Sequence, residues 1–199
     1  LMKIGIVLPQ VCVGGAEQIV LYQASEFLKR GHEVEVIGLA DGGRMCARFS
    51  ERGIPVIEFG LSRSFKPSFQ WYRSMQNARS VLSKHFYQRN FDVVHIHLMG
   101  PDIDGLFAAR KAAVKVVVHT IHNNYSQFNG KSFFEKSKNL IRKIHWKQYD
   151  RLFAVDTEVR DWTIDCRLGN PDDIFVVLNG IDMNHLEVEE TRHDIRKSL

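Results

Sequence analysis

Three short stretches carry residues whose types and spacing can do chemistry. Near the start, VGGAEQ sets Gly14 and Gly15 between an apolar run and a helical pattern opened by Ala16 and Glu17. Two residues without a Cβ let peptide N–H groups approach an oxyanion, and the helix behind them contributes its positive end. A relaxed loop would use the same glycines. No GxGxxG is present, so the pair does not specify a dinucleotide, although Asp41 stands at the end of the second apolar run, near where a ribose-binding acid would be. Next, His95 and His97 alternate at the end of DVVHIH, and His119 and His122 follow in VVVHTIHN. Imidazole binds metals and moves protons near neutral pH. Four histidines at two strand ends could form a metal site, but no Asp, Glu or Cys clusters with them in sequence as a mixed site would require. Histidines merely satisfied at strand ends are the alternative, and His97 and His122, nearest the strand tips, point most towards function. Last, VVLNGID places Asn179, Gly180 and Asp182 after another apolar run. Asn-Gly is an ordinary turn signal, and its position at a carboxyl strand end is what gives it weight.

The elements that must hold these residues alternate along the chain. KIGIVL (3–8), EVEVIGL (33–39), PVIEF (55–59), DVVHIH (92–97), VKVVVH (114–119), RLFAV (151–155) and IFVVL (174–178) are seven strand candidates. Most are near-continuous apolar runs, as strands covered on both faces require. Between them Ile19, Gln23, Ala24, Phe27 and Leu28 follow a helical period, as do Trp71, Met75, Ala78 and Leu82, and later Val159, Trp162, Thr163 and Cys166. Strand–helix alternation with right-handed crossovers predicts an α/β fold with a doubly wound, mainly parallel seven-stranded sheet, whose ligands gather at the carboxyl ends of the strands. After Asp182 the chain turns polar, so residues 2–185 read as one domain and 186–199 as the start of a linker.

Length and composition agree with one globular domain. The 199 residues are 44% hydrophobic and 25% charged, and a chain of this size buries roughly 70% of its unfolded surface. No apolar run reaches the ~20 residues of a membrane span and no signal-peptide pattern opens the chain, so a cytoplasmic protein starting at Met2 is expected. Cys12, Cys46 and Cys166 lack CxxC spacing, which predicts reduced, structural thiols. The net charge is only +4, yet Phe59 to Phe91 contains no acid while holding Arg63, Lys66, Arg73, Arg79, Lys84 and Arg89, a segment that should attract anions. The helix candidate at 131–149 mixes Phe134, Leu140, Ile141 and Ile144 with Lys136, Lys138, Arg142, Lys143 and Lys147. A core-facing stripe with a solvated basic side is the favoured reading, and an interfacial basic helix the other. Basic residues without a reading motif do not indicate nucleic acid.

Taken in order, GGAE, FDVVHIH, VVHTIHN, FAVDTEVRDW and IFVVLNGID resemble the N-terminal half of the family-4 (group 1) glycosyltransferases of the GT-B fold, across roughly residues 2–185. Asp156 departs from the serine common there. The resemblance implies a Rossmann-like acceptor-binding domain of a retaining enzyme that moves a hexosyl unit from a nucleotide-diphosphate sugar to an acceptor hydroxyl on a glycan, lipid-linked or polysaccharide precursor. It implies His122 as catalytic residue and Gly15, Glu17, His97 and His122 around the acceptor. Gly14, Gly15, Asn179 and Gly180 would face the donor phosphates. No metal or other cofactor would be required. The donor-binding C-terminal domain, with its E-x7-E motif, would be absent, since no two glutamates here stand eight apart, and this chain alone would be inactive. Peripheral contact with an anionic membrane at its inner face would suit the basic segment. The competing functions are a dinucleotide-binding domain of an oxidoreductase and a non-catalytic module for anions or membranes.

Overall fold

A computed structural model describes residues 1–61, 69–124 and 140–180. The expectations for Arg63 and Lys66, for Phe134, Lys136 and Lys138, and for the domain edge at 186–199 lie outside the described residues. Seven strands form one sheet: β1 (Lys3–Leu8), β2 (Glu33–Gly38), β3 (Val56–Glu58), β4 (Val93–His97), β5 (Val116–Ile121), β6 (Arg151–Ala154) and β7 (Ile174–Val176). Their order is β3-β2-β1-β4-β5-β6-β7, and every pairing is parallel. The winding direction reverses between β1 and β4, which opens a crevice at their carboxyl ends where such sheets take ligands.

The pleat sorts the side chains into two cores. On one face Ile4, Ile6 and Leu8 of β1 and Val34 and Val36 of β2 pack with α1 (Gly15–Lys29) and α2 (Cys46–Glu51) through Val20, Leu21, Ala24 and Phe49. On the other, Val7, Val94, Ile96, Val117, Leu152 and Ala154 pack beneath α3 (Phe69–Arg89), α4 (Pro101–Lys111) and α5 (Thr157–Asp165), with Leu82, Phe86, Leu106 and Val159. Each fully buried Leu, Val or Phe contributes about 1.5–3 kcal/mol, so the two clusters together carry the fold. Gly105 shows how tightly α4 is seated: a Cβ there would meet Ile96 Cδ1 at 2.8 Å, and glycine lets the helix lie against β4.

The helical periods place α3 and α5 correctly, with Ala78, Leu82, Val159 and Thr163 buried. In α1 the buried set is Glu17, Val20, Leu21 and Ala24, rotated from the expected stripe, and Ile19 and Gln23 line a cavity instead. The helix divides its apolar residues between a core and a wall. β5 runs two residues later than its sequence pattern suggests. Ala113 takes a left-handed φ of 56° and the Val114 N–H still bonds back to the Ala109 carbonyl, so the exit turn of α4 consumes Val114 and Lys115. His119 thereby moves into the strand interior, and His122 lies just past its end.

The expected core-facing stripe at the 131–149 helix is overturned where it is described. Residues 140–145 are helical, and Leu140, Ile141 and Ile144 are exposed while Arg142 is tucked in. Charge decides this: the buried Asp102 carboxylate needs a cation, and Arg142 supplies it at 2.9 Å. The basic segment is likewise thinner than its sequence. Arg79 pairs with buried Asp104 at 2.9 Å and lies over the Phe107 ring, and Arg89 pairs with buried Glu35 at 2.8 Å. Asp156, the departure from serine, caps α5 by accepting the Val159 N–H at 2.7 Å, the bond a serine hydroxyl would also make.

Candidate functional site

Chain alternation and strand pairing sort the four histidines. His95 and His97 point to the face of the sheet that carries α1, and His119, one strand over and at the opposite pleat phase, points to the other. There the His119 Nδ1 bonds the Ile96 carbonyl at 2.9 Å, and the ring stacks on Tyr149 and meets the edge of Trp146. It is a satisfied interior histidine. A four-histidine metal site is therefore not formed, and among the described residues no group of three or more His, Cys, Asp or Glu is placed to hold a metal ion.

On the α1 face the remaining three meet. The His95 Nε2 bonds the Thr120 hydroxyl at 2.7 Å, and its ring lies 4.0 Å, centroid to centroid, from that of His97. The His97 Nδ1 and the His122 Nε2 stand 2.9 Å apart, so the pair expected to matter from its place at two strand tips is joined by a hydrogen bond. Burial keeps these rings neutral. It lowers His95 to about 3 and His122 to about 4, and pushes His97 well down, each helped by the neighbouring imidazoles. His119 is also lowered to about 4 by burial, against the pull of Asp102.

The turn between His97 and α4 is held from below. Leu98 and Gly100 have φ of 63° and 126°, and the Gly100 N–H donates to Asp102 Oδ1 at 2.9 Å. Asp102 Oδ2 accepts from Arg142 Nε at 2.9 Å and Trp146 Nε1 at 3.1 Å, and the Tyr149 hydroxyl donates to the Asp102 carbonyl. Burial alone would raise the Asp102 pKa, but Arg142, His119 and the Gly100 N–H hold it below the usual carboxylate value. Asp102 was not legible as a site residue. The only local signal is an acid in the first turn after Pro101, and its partners lie some forty residues on.

The glycine turn resolves into two different positions. Gly14 caps α1 with φ −164°, extended backbone that any residue adopts, and a Cβ there would run into Glu17 Oε2. Glu17 is buried, folded back against the turn, and accepts from the Cys12 thiol at 3.2 Å. Burial, then Glu17, raises the Cys12 pKa. Gly14 thus has a reason internal to the fold. Gly15 has nothing within 4 Å of its would-be Cβ, and no side chain caps the helix start. Asn179 and Gly180 line a cavity of about 690 Å³ whose walls include His95, His97, Thr120, Phe153 and Gln23. The structure therefore groups His97 and His122, brings Asn179 and Gly180 to the same cavity as His97, and leaves Gly14, Gly15 and Glu17 on the neighbouring strand end at β1. Asp41 follows β2 and is exposed, its carbonyl accepting from Gln10 Nε2 at 2.7 Å.

An all-parallel Rossmann-like sheet, with a histidine pair at the ends of β4 and β5 beside the switch point between β1 and β4, defines the class of α/β domains whose ligand crevice lies at the carboxyl strand ends. Residues 13–185 match the model of Glycosyltransferase Family 4, and the chain belongs to that family, over its N-terminal Rossmann-like domain. It is 29% identical over 133 residues to the UDP-Gal:alpha-D-GlcNAc-diphosphoundecaprenol alpha-1,3-galactosyltransferase of Escherichia coli, covering 63% of this chain and 33% of that protein. Among solved structures it is similar to Anabaena Alr3699/HepE in complex with UDP and glucose, with TM-score 0.75 and 18% identity over all of this chain and 49% of that one. It is also similar to the Neisseria meningitidis UDP-GlcNAc 2-epimerase bound to UDP-GlcNAc, with TM-score 0.65 and 16% identity over 99% of this chain and 52% of that one. The chain thus spans a third of the curated relative's length and about half that of these structures.

Proposed function

We propose that this chain is the acceptor-binding half of a retaining glycosyltransferase that moves a hexosyl unit from a nucleotide-diphosphate sugar to a hydroxyl of a lipid-linked glycan. The observation that carries the reading is the His97–His122 pair at the β4 and β5 ends, joined at 2.9 Å beside the switch point. The acceptor oxygen forms the new bond at the anomeric carbon as the bond to the diphosphate breaks, and the departing charge is the main demand on the site. The uncrowded backbone at Gly15 and the positive end of α1 suit the diphosphate, with Gly14 shaping the turn. His122 would touch the reacting sugar, with Glu17 and His97 supporting the acceptor side and Asn179 and Gly180 the cleft floor. No metal is needed, because fixed N–H dipoles take up the charge. The family match favours this over a dinucleotide oxidoreductase or the sugar epimerases that share the fold.

A lipid-linked acceptor would bring the protein to a membrane surface. Leu140, Ile141 and Ile144 are exposed beside Lys143 and Lys147, an apolar and basic mixture suited to peripheral contact with anionic lipid. Among the described residues no helix is long and apolar enough to cross a membrane. The test is transfer from UDP-galactose, UDP-glucose and UDP-GlcNAc to a GlcNAc-diphosphopolyprenol by the full-length protein, with residues 1–199 alone as comparison. Transfer by the former and none by the latter is expected. Turnover by the 199-residue chain, or release of epimerised sugar in place of transfer, would overturn the reading.

A further inference from the structure

His97 is only 1% exposed although it stands in the cavity wall, and its two ring nitrogens have unequal surroundings. Nδ1 faces the His122 Nε2 at 2.9 Å, whereas Nε2 is buried with no hydrogen-bond partner among the described residues. Two neutral imidazoles sharing one hydrogen bond admit two arrangements, and the proton positions follow from the partners each arrangement leaves behind. If His122 donates from Nε2, the His97 Nδ1 accepts and His97 must carry its proton on Nε2. That strands an N–H in the interior. If His97 donates from Nδ1, its Nε2 keeps only a lone pair and no donor is orphaned. Orphaned buried N–H groups are the rarer and costlier defect.

We infer that His97 is a positioning residue that donates from Nδ1 to His122 and so holds His122 in the Nδ1–H form, with that N–H as the one offered to a ligand oxygen. His122 then enters the reaction as a hydrogen-bond donor to a sugar hydroxyl or diphosphate oxygen, and is not a resting general base. The surroundings agree. His95 stacks on His97, His95 and His122 are the titratable groups facing it, and His119 acts more weakly from across the sheet, so positive charge in this group is disfavoured and both rings stay neutral at pH 7. His97 sits at the end of β4, next to the turn pinned by Asp102, which fixes the direction of its donor. The role in transfer rests on the proposed function above; the proton placement does not.

The experiment is ring-nitrogen NMR on the full-length protein labelled with ¹⁵N-histidine, together with transfer kinetics for His97→Asn and His97→Phe. The Asn side chain can place an amide N–H near the position of Nδ1, while Phe fills the space without a donor. In wild type, His97 and His122 should both show the Nδ1–H pattern. His97→Asn should keep that pattern at His122 and retain more of kcat than His97→Phe, which should release His122 to the Nε2–H form and lower kcat about tenfold, as loss of one aligned hydrogen bond implies. An unmoved His119 signal, from the opposite face of the sheet, shows that either variant is folded. An Nε2–H pattern at His97, or equal loss of kcat in both variants, overturns the inference. Nδ1–H rings in a protein that transfers no sugar would remove the transferase reading alone.

Discussion

The two faces of β4 and β5 use the same residue types to opposite ends. On the α3–α4 side His119, Asp102, Trp146, Tyr149 and Arg142 close a network in which each buried polar group has a partner. On the α1 side His95 is satisfied by Thr120, but among the described residues the His97 Nε2 has no partner, and His122 lies just past the end of β5. A closed polar network specifies a structure, whereas the α1 side is left partly open. The histidines differ in role because adjacent strands present them in opposite pleat phase, so composition alone does not separate them.

The sharpest way to break this contrast is Asp102→Ala. It leaves the Arg142 guanidinium, the Trp146 N–H and the Gly100 N–H without their acceptor, at an expected cost of about 3–5 kcal/mol. Urea unfolding reads this as a lowered midpoint, and a cost under ~1 kcal/mol would mean that the face is not closed as described. Asp102→Asn, which keeps an oxygen for Gly100, should lose less.

A paired substitution tests the open side. His122→Ala in the full-length protein should lower kcat/KM for sugar transfer about 10²-fold, with a stability change within about 1 kcal/mol. His119→Phe should do the reverse, losing its bond to the Ile96 carbonyl for about 1 kcal/mol and leaving kcat/KM within a few-fold. Exchange of those outcomes would invert the assignment of the two faces.

Acid should act on both faces together. His95, His119 and His122 are held at about 3, about 4 and about 4, below the ~6.5 of an unfolded histidine. The unfolded chain therefore binds more protons than the folded one between these values, and stability falls as pH drops from about 6.5 towards 4. Asp102, also lowered, adds its loss only below ordinary carboxylate values. Urea midpoints at pH 7.5, 6, 5 and 4 check this, and a flat profile would show that the rings are not buried neutral. The smallest effect concerns the glycine turn. Gly15→Ala should be neutral or up to about 1 kcal/mol stabilising, since its Cβ meets nothing and Ala favours a helix, while raising KM for the nucleotide sugar. Gly14→Ala should instead cost stability by displacing Glu17. Equal behaviour of the two would erase the difference between them.

Much of this was readable along the chain. Apolar runs separated by helical periods specify parallel strands and crossover helices, because a strand covered on both faces must be apolar throughout, and the position of His97, His122, Asn179 and Gly180 at carboxyl strand ends follows from their standing at or after the ends of those runs. Misplaced elements were those where turn geometry or a distant charge intervened. Ala113 delayed β5 by two residues, and Asp102 drew Arg142 inward and left Leu140, Ile141 and Ile144 outside.

Sequence by itself determined the fold class, the strand count, the family and which strand ends carry the candidate residues, since all of these rest on local periodicity and short motifs. Tertiary structure alone decided that His119 is interior packing, that His97 reaches His122, that Gly14 makes room for Glu17 while Gly15 stays open, and that Asp102 anchors the β4 turn. Each of these depends on which residues distant in sequence the parallel register and helix packing bring within bonding distance, and on what that leaves buried without a partner. Local sequence does not encode either.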